Sequence, residues 1–336
     1  MKSIRAFLRA VVLFPFNVLM GGTVPAGTVQ TVAMVGVRES LLDELSIITP
    51  AIGVTYHALG TGKKPANVKH EFLTDTIRAA NTANAVVEGA DPTINSSTQP
   101  SRLFNYCQIQ EESYAVTSTS GAVKSAGRST EKDLQRRKHM EGLTKDINYS
   151  FLNGTLQLGD ATTAYKMRGV LPSIVTNLNK ASDATLQASG LVTGGTARAL
   201  TATLIKTVLQ NMFTTGSTDK GKTMKGLCNA TQQTAFDAIA TSDSSKTRFI
   251  DGSKVDDYVD VYVTAFGKVV TELDTAMPVD QFAILNMSYW KKATLEAIGE
   301  VKLATSSALN EKYHITVNHT LEQKNEASSG RITNLI

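Results

Sequence analysis

Residues Gly216 to Thr223 read Gly-Ser-Thr-Asp-Lys-Gly-Lys-Thr and satisfy the GxxxxGK[ST] spacing of a phosphate-binding loop. In such a loop, backbone amides and a lysine hold phosphate oxygens while the last hydroxyl meets magnesium. That chemistry needs a strand before the loop and a helix starting at its lysine. Here a helical pattern precedes the motif and the strand-like Met224-Lys225-Gly226-Leu227 follows it, which argues against nucleotide binding. His70-Glu71 opens the zinc-protease HExxH pattern, but position 74 is Thr and the second histidine is missing. His57, His139, His314 and His319 are scattered without a nearby cysteine, so any metal site would have to be assembled by the fold. His319 is expected to be a satisfied, partly buried side chain. No GxSxG elbow occurs, and the adjacent Asp256 and Asp257 would point to opposite faces of a strand, a poor acid/base pair. The residues nominate no catalytic, cofactor-binding or metal-binding side chain. The densest basic run, Arg136-Arg137-Lys138-His139, spreads around a helix axis. Its two readings are a solvated face paired with Glu131, Asp133 and Glu141, or a sequence-independent contact with nucleic acid.

The elements around these residues are a mixture. Ser129 or Thr130 can cap a helix with Glu131, Lys132 and Asp133 in its first turn, and Leu134, Leu143, Ile147 and Phe151 extend it to about residue 152. Gly154 stands just past its end as a cap candidate. Further helices are predicted over Arg38–Ile48, over 197–213 with Leu200, Leu204, Val208 and Met212 on one stripe, and over 231–240 with Phe236 and Ile239 inward. Val259, Val261 and Val263 then alternate with polar or aromatic positions, as a half-buried strand requires. Strands follow at 268–273 and 281–286, the latter leading into a short helix near 290–298. In the last strand Tyr313, Ile315, Val317, His319 and Leu321 share one face. Asp91 to Ser101, with two prolines and no apolar period, reads as an exposed loop tip. This irregular order points to an α+β architecture.

At 336 residues the chain can bury one large or two modest cores, and 42% hydrophobic with 19% charged residues excludes a disordered or fibrous protein. A net charge of +4 demands no nucleic-acid ligand. Cys107 and Cys228 show no CxxC spacing and are expected as free thiols. The first 26 residues, with Lys2, Arg5 and Arg9 before an apolar run and Val24-Pro25-Ala26 behind it, imitate a secretory signal. Pro15 and Asn17 interrupt the run, so an apolar, basic arm lying along a neighbouring subunit is the favoured expectation.

Several segments together resemble the major head proteins of tailed bacteriophages. They are Asn105-Tyr106-Cys107-Gln108-Ile109, Val116-Thr117-Ser118-Thr119, Glu141 to Gly154 ending in Leu-Asn-Gly, Arg168-Gly169-Val170, and Thr320-Leu321-Glu322 with Asn325-Glu326-Ala327. Asn148 and His319 stand where acidic residues would be expected. The resemblance implies a Hong Kong 97-type capsid fold: an N-terminal arm and short helix (1–55), an extended loop (56–110), a peripheral domain on a spine helix at about 129–152 (111–165), an axial domain (166–300), and a return to the peripheral domain (301–336). It implies a non-enzymatic major capsid protein without cofactor or metal, self-assembling as hexamers and pentamers into an icosahedral shell around double-stranded DNA. Portal, scaffolding or decoration proteins would be partners and no membrane would be involved; assembly would occur in the host cytoplasm and the product would be the virion capsid. A cargo shell of the encapsulin kind and an exported globular protein are the alternatives. Gly60, Gly62 and Gly89 are hinge candidates where the loop leaves the body.

Overall fold

The computed structural model describes residues 53–92, 94, 99–123, 130–216, 223–242, 261–304 and 309–336. In chain order come α1 (Val54–Ala58), β1 (Gly60–Thr61), β2 (Lys69–Thr74), β3 (Ser101–Tyr106), β4 (Gln108–Thr117), α2 (Ser118–Ala122), α3 (Glu131–Asn153), α4 (Val170–Ser173), β5 (Leu178–Asn179), β6 (Thr185–Leu186) and β7 (Val192–Thr193). They are followed by α5 (Ala202–Gly216), β8 (Thr223–Cys228), α6 (Ala230–Ser242), β9 (Val261–Thr264), β10 (Gly267–Leu273), β11 (Phe282–Leu285), β12 (Trp290–Leu303), β13 (Asn310–Gln323) and β14 (Gly330–Ile332).

The long helix α3 starts where the Thr130 hydroxyl accepts the Asp133 amide at 3.1 Å, with Glu131 and Asp133 in the positive first turn. It runs for 23 residues, about 35 Å, and ends where the Gly154 amide closes on the Ser150 carbonyl at 2.9 Å. Its buried stripe includes Leu143, Ile147, Phe151 and Leu152. These pack with Tyr313, Ile315, Val317 and Leu321 of β13, with Trp290, and with Val170, Leu171 and Ile174. The sheet beneath is ordered β1-β12-β13-β4, with β13 antiparallel to both of its long neighbours. Polar contacts fix the helix along it: the Gln110 amide donates to Ser150 Oγ at 2.7 Å, and the Tyr114 ring stacks between His139 and Tyr313.

A second core forms where α5 (Ile205, Val208, Leu209, Met212) and Phe236 of α6 pack on a six-stranded mixed sheet ordered β5-β14-β11-β8-β10-β9. Val269, Phe282, Ile284 and Ile332 are its sheet residues. Trp290 stands at the start of β12, and its indole donates to Ser329 Oγ at 2.8 Å, beside the strand that feeds the second sheet. Among the described residues no helix is long and apolar enough to cross a membrane.

The helix expected over 129–152 is α3, and the alternating last strand is β13, whose named residues are buried. Two expectations need correction. Residues 290–298 are strand, because β12 pairs with β13 from Trp290↔Gln323 to Leu303↔Lys312 and this long-range ladder overrides a locally helical spacing. The helix expected at 197 begins at Ala202, because Arg198 is drawn to the C-terminal strand: its amide bonds the Asn334 carbonyl at 2.8 Å and its guanidinium bonds the Asn179 carbonyl at 2.7 Å. The expected helix at Arg38–Ile48, Val259 with Asp256 and Asp257, and part of the 91–101 loop lie outside the described residues.

Gly190 lies in the loop of the small β6/β7 hairpin at φ +85°, and a Cβ there would run into the Pro172 carbonyl. Gly89 has a similar φ of +81° but nothing within 4 Å. Gly190→Ala is therefore expected to lower stability by about 2 kcal/mol or more, through both backbone strain and overlap, and Gly89→Ala by only about 1 kcal/mol. Denaturant unfolding of the two variants checks the order.

Candidate functional site: an exposed ribbon on a buried polar root

β2 and β3 form a two-stranded ribbon, paired from Lys69↔Tyr106 to Thr74↔Ser101. Every described residue from Asp75 to Pro100 is exposed. Among them Ile77 and Ile94 are 98% and 95% exposed, with Val86 and Val87 at 79%. Scattered exposed apolar residues are ordinary, but an extended segment carrying several of them has no core of its own to join.

The ribbon's root is firm. His70 Nε2 lies 2.8 Å from Glu322 Oε1 of β13, and the Cys107 amide bonds the Val68 carbonyl at 2.7 Å. The Asn105 amide group donates to the carbonyls of Arg168 and Leu321, both at 3.0 Å, while its oxygen accepts the Arg168 amide at 2.8 Å. Asn105 thus ties β3, the segment after α3 and β13 together. Of the glycines considered as hinges, Gly62 sits so close to Glu322 that a Cβ would be 2.9 Å from its carboxylate.

The body also holds a buried polar knot that sequence inspection missed. Asp274, just past β10, is buried, and its carboxylate accepts from the Thr55 amide (3.0 Å), the Thr55 hydroxyl (2.5 Å), both reaches of Asn148 Nδ2 (2.9 Å) and the Ala276 amide (2.9 Å). The Asn148 oxygen accepts the Tyr56 amide at 2.9 Å. One carboxylate thereby joins α1, α3 and the second sheet. The only signal in the chain was Asn148 itself, noted as an amide where an acid was expected.

Residues singled out from the sequence are not gathered into one place. The phosphate-loop spacing begins at the last residue of α5 and ends at the first of β8, so helix precedes and strand follows; residues 217–222 lie outside the described set. Histidines 70, 139 and 314 pair separately with Glu322, Glu112 and Glu111. The basic run does make ion pairs: Arg137 meets the expected Glu141 (3.0 Å), while Arg136 meets Glu300 (2.9 Å) and His139 meets Glu112 (2.7 Å), which were not expected. His319 is fully buried, yet neither ring nitrogen has a protein partner, which corrects the expectation of a satisfied histidine. Burial pushes the Cys107 thiol up to about 11 and, with Asp237 adding to it, the Cys228 thiol up to about 12, so both stay protonated and unreactive. Among the described residues no group of three or more His, Cys, Asp or Glu could hold a metal. A cleft of about 550 Å³ opens at the start of α3, but its cations are engaged: Lys132 lies over the Tyr313 ring at 4.2 Å and Arg136 is held by Glu300.

The picture is of a body whose chemistry is spent on holding itself together, with a ribbon and an exposed segment beyond it, carrying scattered apolar residues, outside both cores. A profile of the SU10 major capsid protein family matches residues 23–336. The chain belongs to the SU10 major capsid protein family. Its fold matches that of phage capsids, the Hong Kong 97 type expected from the sequence. The capsid asymmetric unit of cyanophage A-1(L) is similar over 91% of this chain and 98% of that one, with a TM-score of 0.61 at 15% identity. The capsid of cyanophage P-SCSP1u is similar over 93% and 97%, with a TM-score of 0.56 at 7% identity. The SrpI encapsulin of Synechococcus elongatus PCC 7942 is also similar, over 89% and 92%, with a TM-score of 0.55 at 11% identity. No curated protein matches the sequence. The capsid subunit is a structural protein that forms the phage shell.

Asp274→Asn would turn an acceptor of several buried donors into a group that presents a donor to them. The substitution is expected to destabilise the capsid subunit by about 3 kcal/mol, since each lost bond to a buried charge costs about 1.5 to 3 kcal/mol. Chemical denaturation of the unassembled subunit measures it.

Proposed function

We propose that this major capsid protein assembles as hexamers and pentamers into an icosahedral shell enclosing double-stranded DNA, and that it does so in the host cytoplasm. The observation that carries the reading is the exposed segment joining β2 to β3: Ile77, Val86, Val87 and Ile94 stand almost wholly exposed, and a second subunit would supply apolar partners for them. The capsomers associate with portal and with scaffolding or decoration proteins, and the shell works without catalysis, cofactor or membrane. In this reading residues 56–110 are the extended loop. The core built on α3 and the four-stranded sheet is the peripheral domain, taking in 111–165 and 301–336. The core of the six-stranded sheet, drawn mainly from 166–300, is the axial domain; β14 (Gly330–Ile332) reaches this sheet from the 301–336 segment, and β12 crosses the boundary at 300. Residues 1–55 are the arm and its short helix. DNA in the interior needs only non-specific phosphate contacts. The fold is shared with an encapsulin, so the contents of the shell distinguish the two uses of it.

Electron microscopy of the purified protein tests the proposal. Closed uniform shells or capsomer rings are expected, and particles purified from infected cells should contain nuclease-protected DNA rather than a packaged enzyme. Ile77→Asp combined with Val87→Asp should leave the subunit's circular dichroism and melting unchanged, because both side chains are exposed. Shell yield should fall by at least about tenfold, because each lost apolar burial is worth roughly 1.5 to 3 kcal/mol and 1.4 kcal/mol is a factor of ten. Shells at the wild-type yield from this variant would sink the role given to the ribbon.

A further inference from the structure

The structure places a histidine with nothing to bond in the joint that fastens α1. His319 of β13 is buried, neither of its ring nitrogens has a protein partner, and its ring packs 4.7 Å from Phe151 of α3 and 6.4 Å from Tyr56 of α1. Tyr56 in turn packs 5.4 Å from Phe151. The carbonyl of Tyr56 accepts Lys292 Nζ of β12 at 3.1 Å, and the same ammonium lies 3.9 Å from the centre of the Tyr56 ring. The helix is also fastened by its Thr55 amide and hydroxyl on Asp274, by its Tyr56 amide on Asn148, and by Leu59 at its end, which is buried in the first core.

We propose that His319 is an acid-sensitive latch: protonation places a second cation beside Lys292 against the buried aromatic packing and releases α1 from the long helix and the sheet. A buried cation without a hydrogen-bond acceptor or counter-ion is costly, and opening the pocket to water relieves it. The groups facing the imidazole are few. Lys292 comes from β12, and Tyr56 from α1 has its hydroxyl pushed up by burial. α3 presents the neutral Phe151 and Asn148, β4 pairs the neutral Gln108 opposite His319, and Glu322 three residues along β13 is taken by His70. Asp274 touches α1 through Thr55, and His57 lies 5.5 Å from Tyr56 on the exposed side.

Burial first, and Lys292 second, hold the His319 imidazole down at about 4. The closed latch therefore disfavours the proton. Its stabilising contribution is complete above the ordinary value of about 6.5, is withdrawn as pH falls from there toward about 4, and does not change further below that. The open fraction of α1 should rise by up to about 300-fold across this window.

Hydrogen exchange on the full-length subunit, corrected for intrinsic exchange rates, reads this at the amides of Thr55, Tyr56, His57 and Leu59, all bonded in the closed state. Protection of these amides in the wild-type protein is expected to fall at least tenfold between pH 7 and pH 4.5. His319→Phe, which keeps a ring against Phe151 and Tyr56, should hold protection flat over the same range, and Lys292→Met should respond less steeply than wild type. If His319→Phe does not fold, His319→Gln is measured instead, with the same expectation. Flat protection in the wild type overturns the proposal. So does an acid response in the His319 variant equal to that of wild type, which would place the trigger at another group.

Discussion

A single carboxylate, Asp274, fixes the relation among the main parts of the body. Taking an ionised carboxyl out of water costs several kcal/mol unless donors surround it, and here donors arrive from Thr55, Asn148 and Ala276. Two of those residues are 219 and 126 positions away in sequence. The charge can be buried only if α1, α3 and the end of β10 are all in place, so the cost of burial becomes a test of correct assembly within the subunit. The apolar packing of α3 on β13 is larger in area but less discriminating, because hydrophobic contact tolerates sliding where a hydrogen-bonded charge does not.

On this fixed body the ribbon of β2 and β3 is held only at its root, by Asn105, by the His70 and Glu322 pair, and by the Cys107 amide. A subunit of a shell has opposed requirements. It must be stiff where its own cores meet and must leave apolar surface unfilled where a neighbour will sit. The separation of the fully buried α3 and β13 face from the exposed Ile77 to Ile94 segment meets both.

What the sequence disclosed follows from the range of the interactions involved. α3 was legible because its cap, Thr130, and its stripe of Leu134, Leu143, Ile147 and Phe151 lie within one element. β13 was legible because one of its faces alternates over several turns of the pleat. β12 was misread because Trp290, Ala293 and Ala297 also fit a helical stripe, and only the ladder to β13 decides between them. Asp274 was invisible: nothing in Leu273-Asp274-Thr275 tells that residue from a turn aspartate until Thr55 and Asn148 are brought to it. His319 was placed on the right face, yet its lack of partners depends on every side chain that surrounds it. The family was legible from short structural segments, which is where a protein without an active site keeps its recognisable residues.

Trp290 is the only tryptophan of the chain, and it is wholly buried between the start of β12 and Ser329. Its indole reports on a place where the two cores come together, fully buried and with a defined hydrogen bond. Intrinsic emission of the subunit is therefore a one-site optical gauge. It should be blue-shifted while that junction is closed and move to longer wavelength when water enters it, with no dye or label attached. Tryptophan emission can thus follow the integrity of the body separately from the coming and going of subunits in the shell.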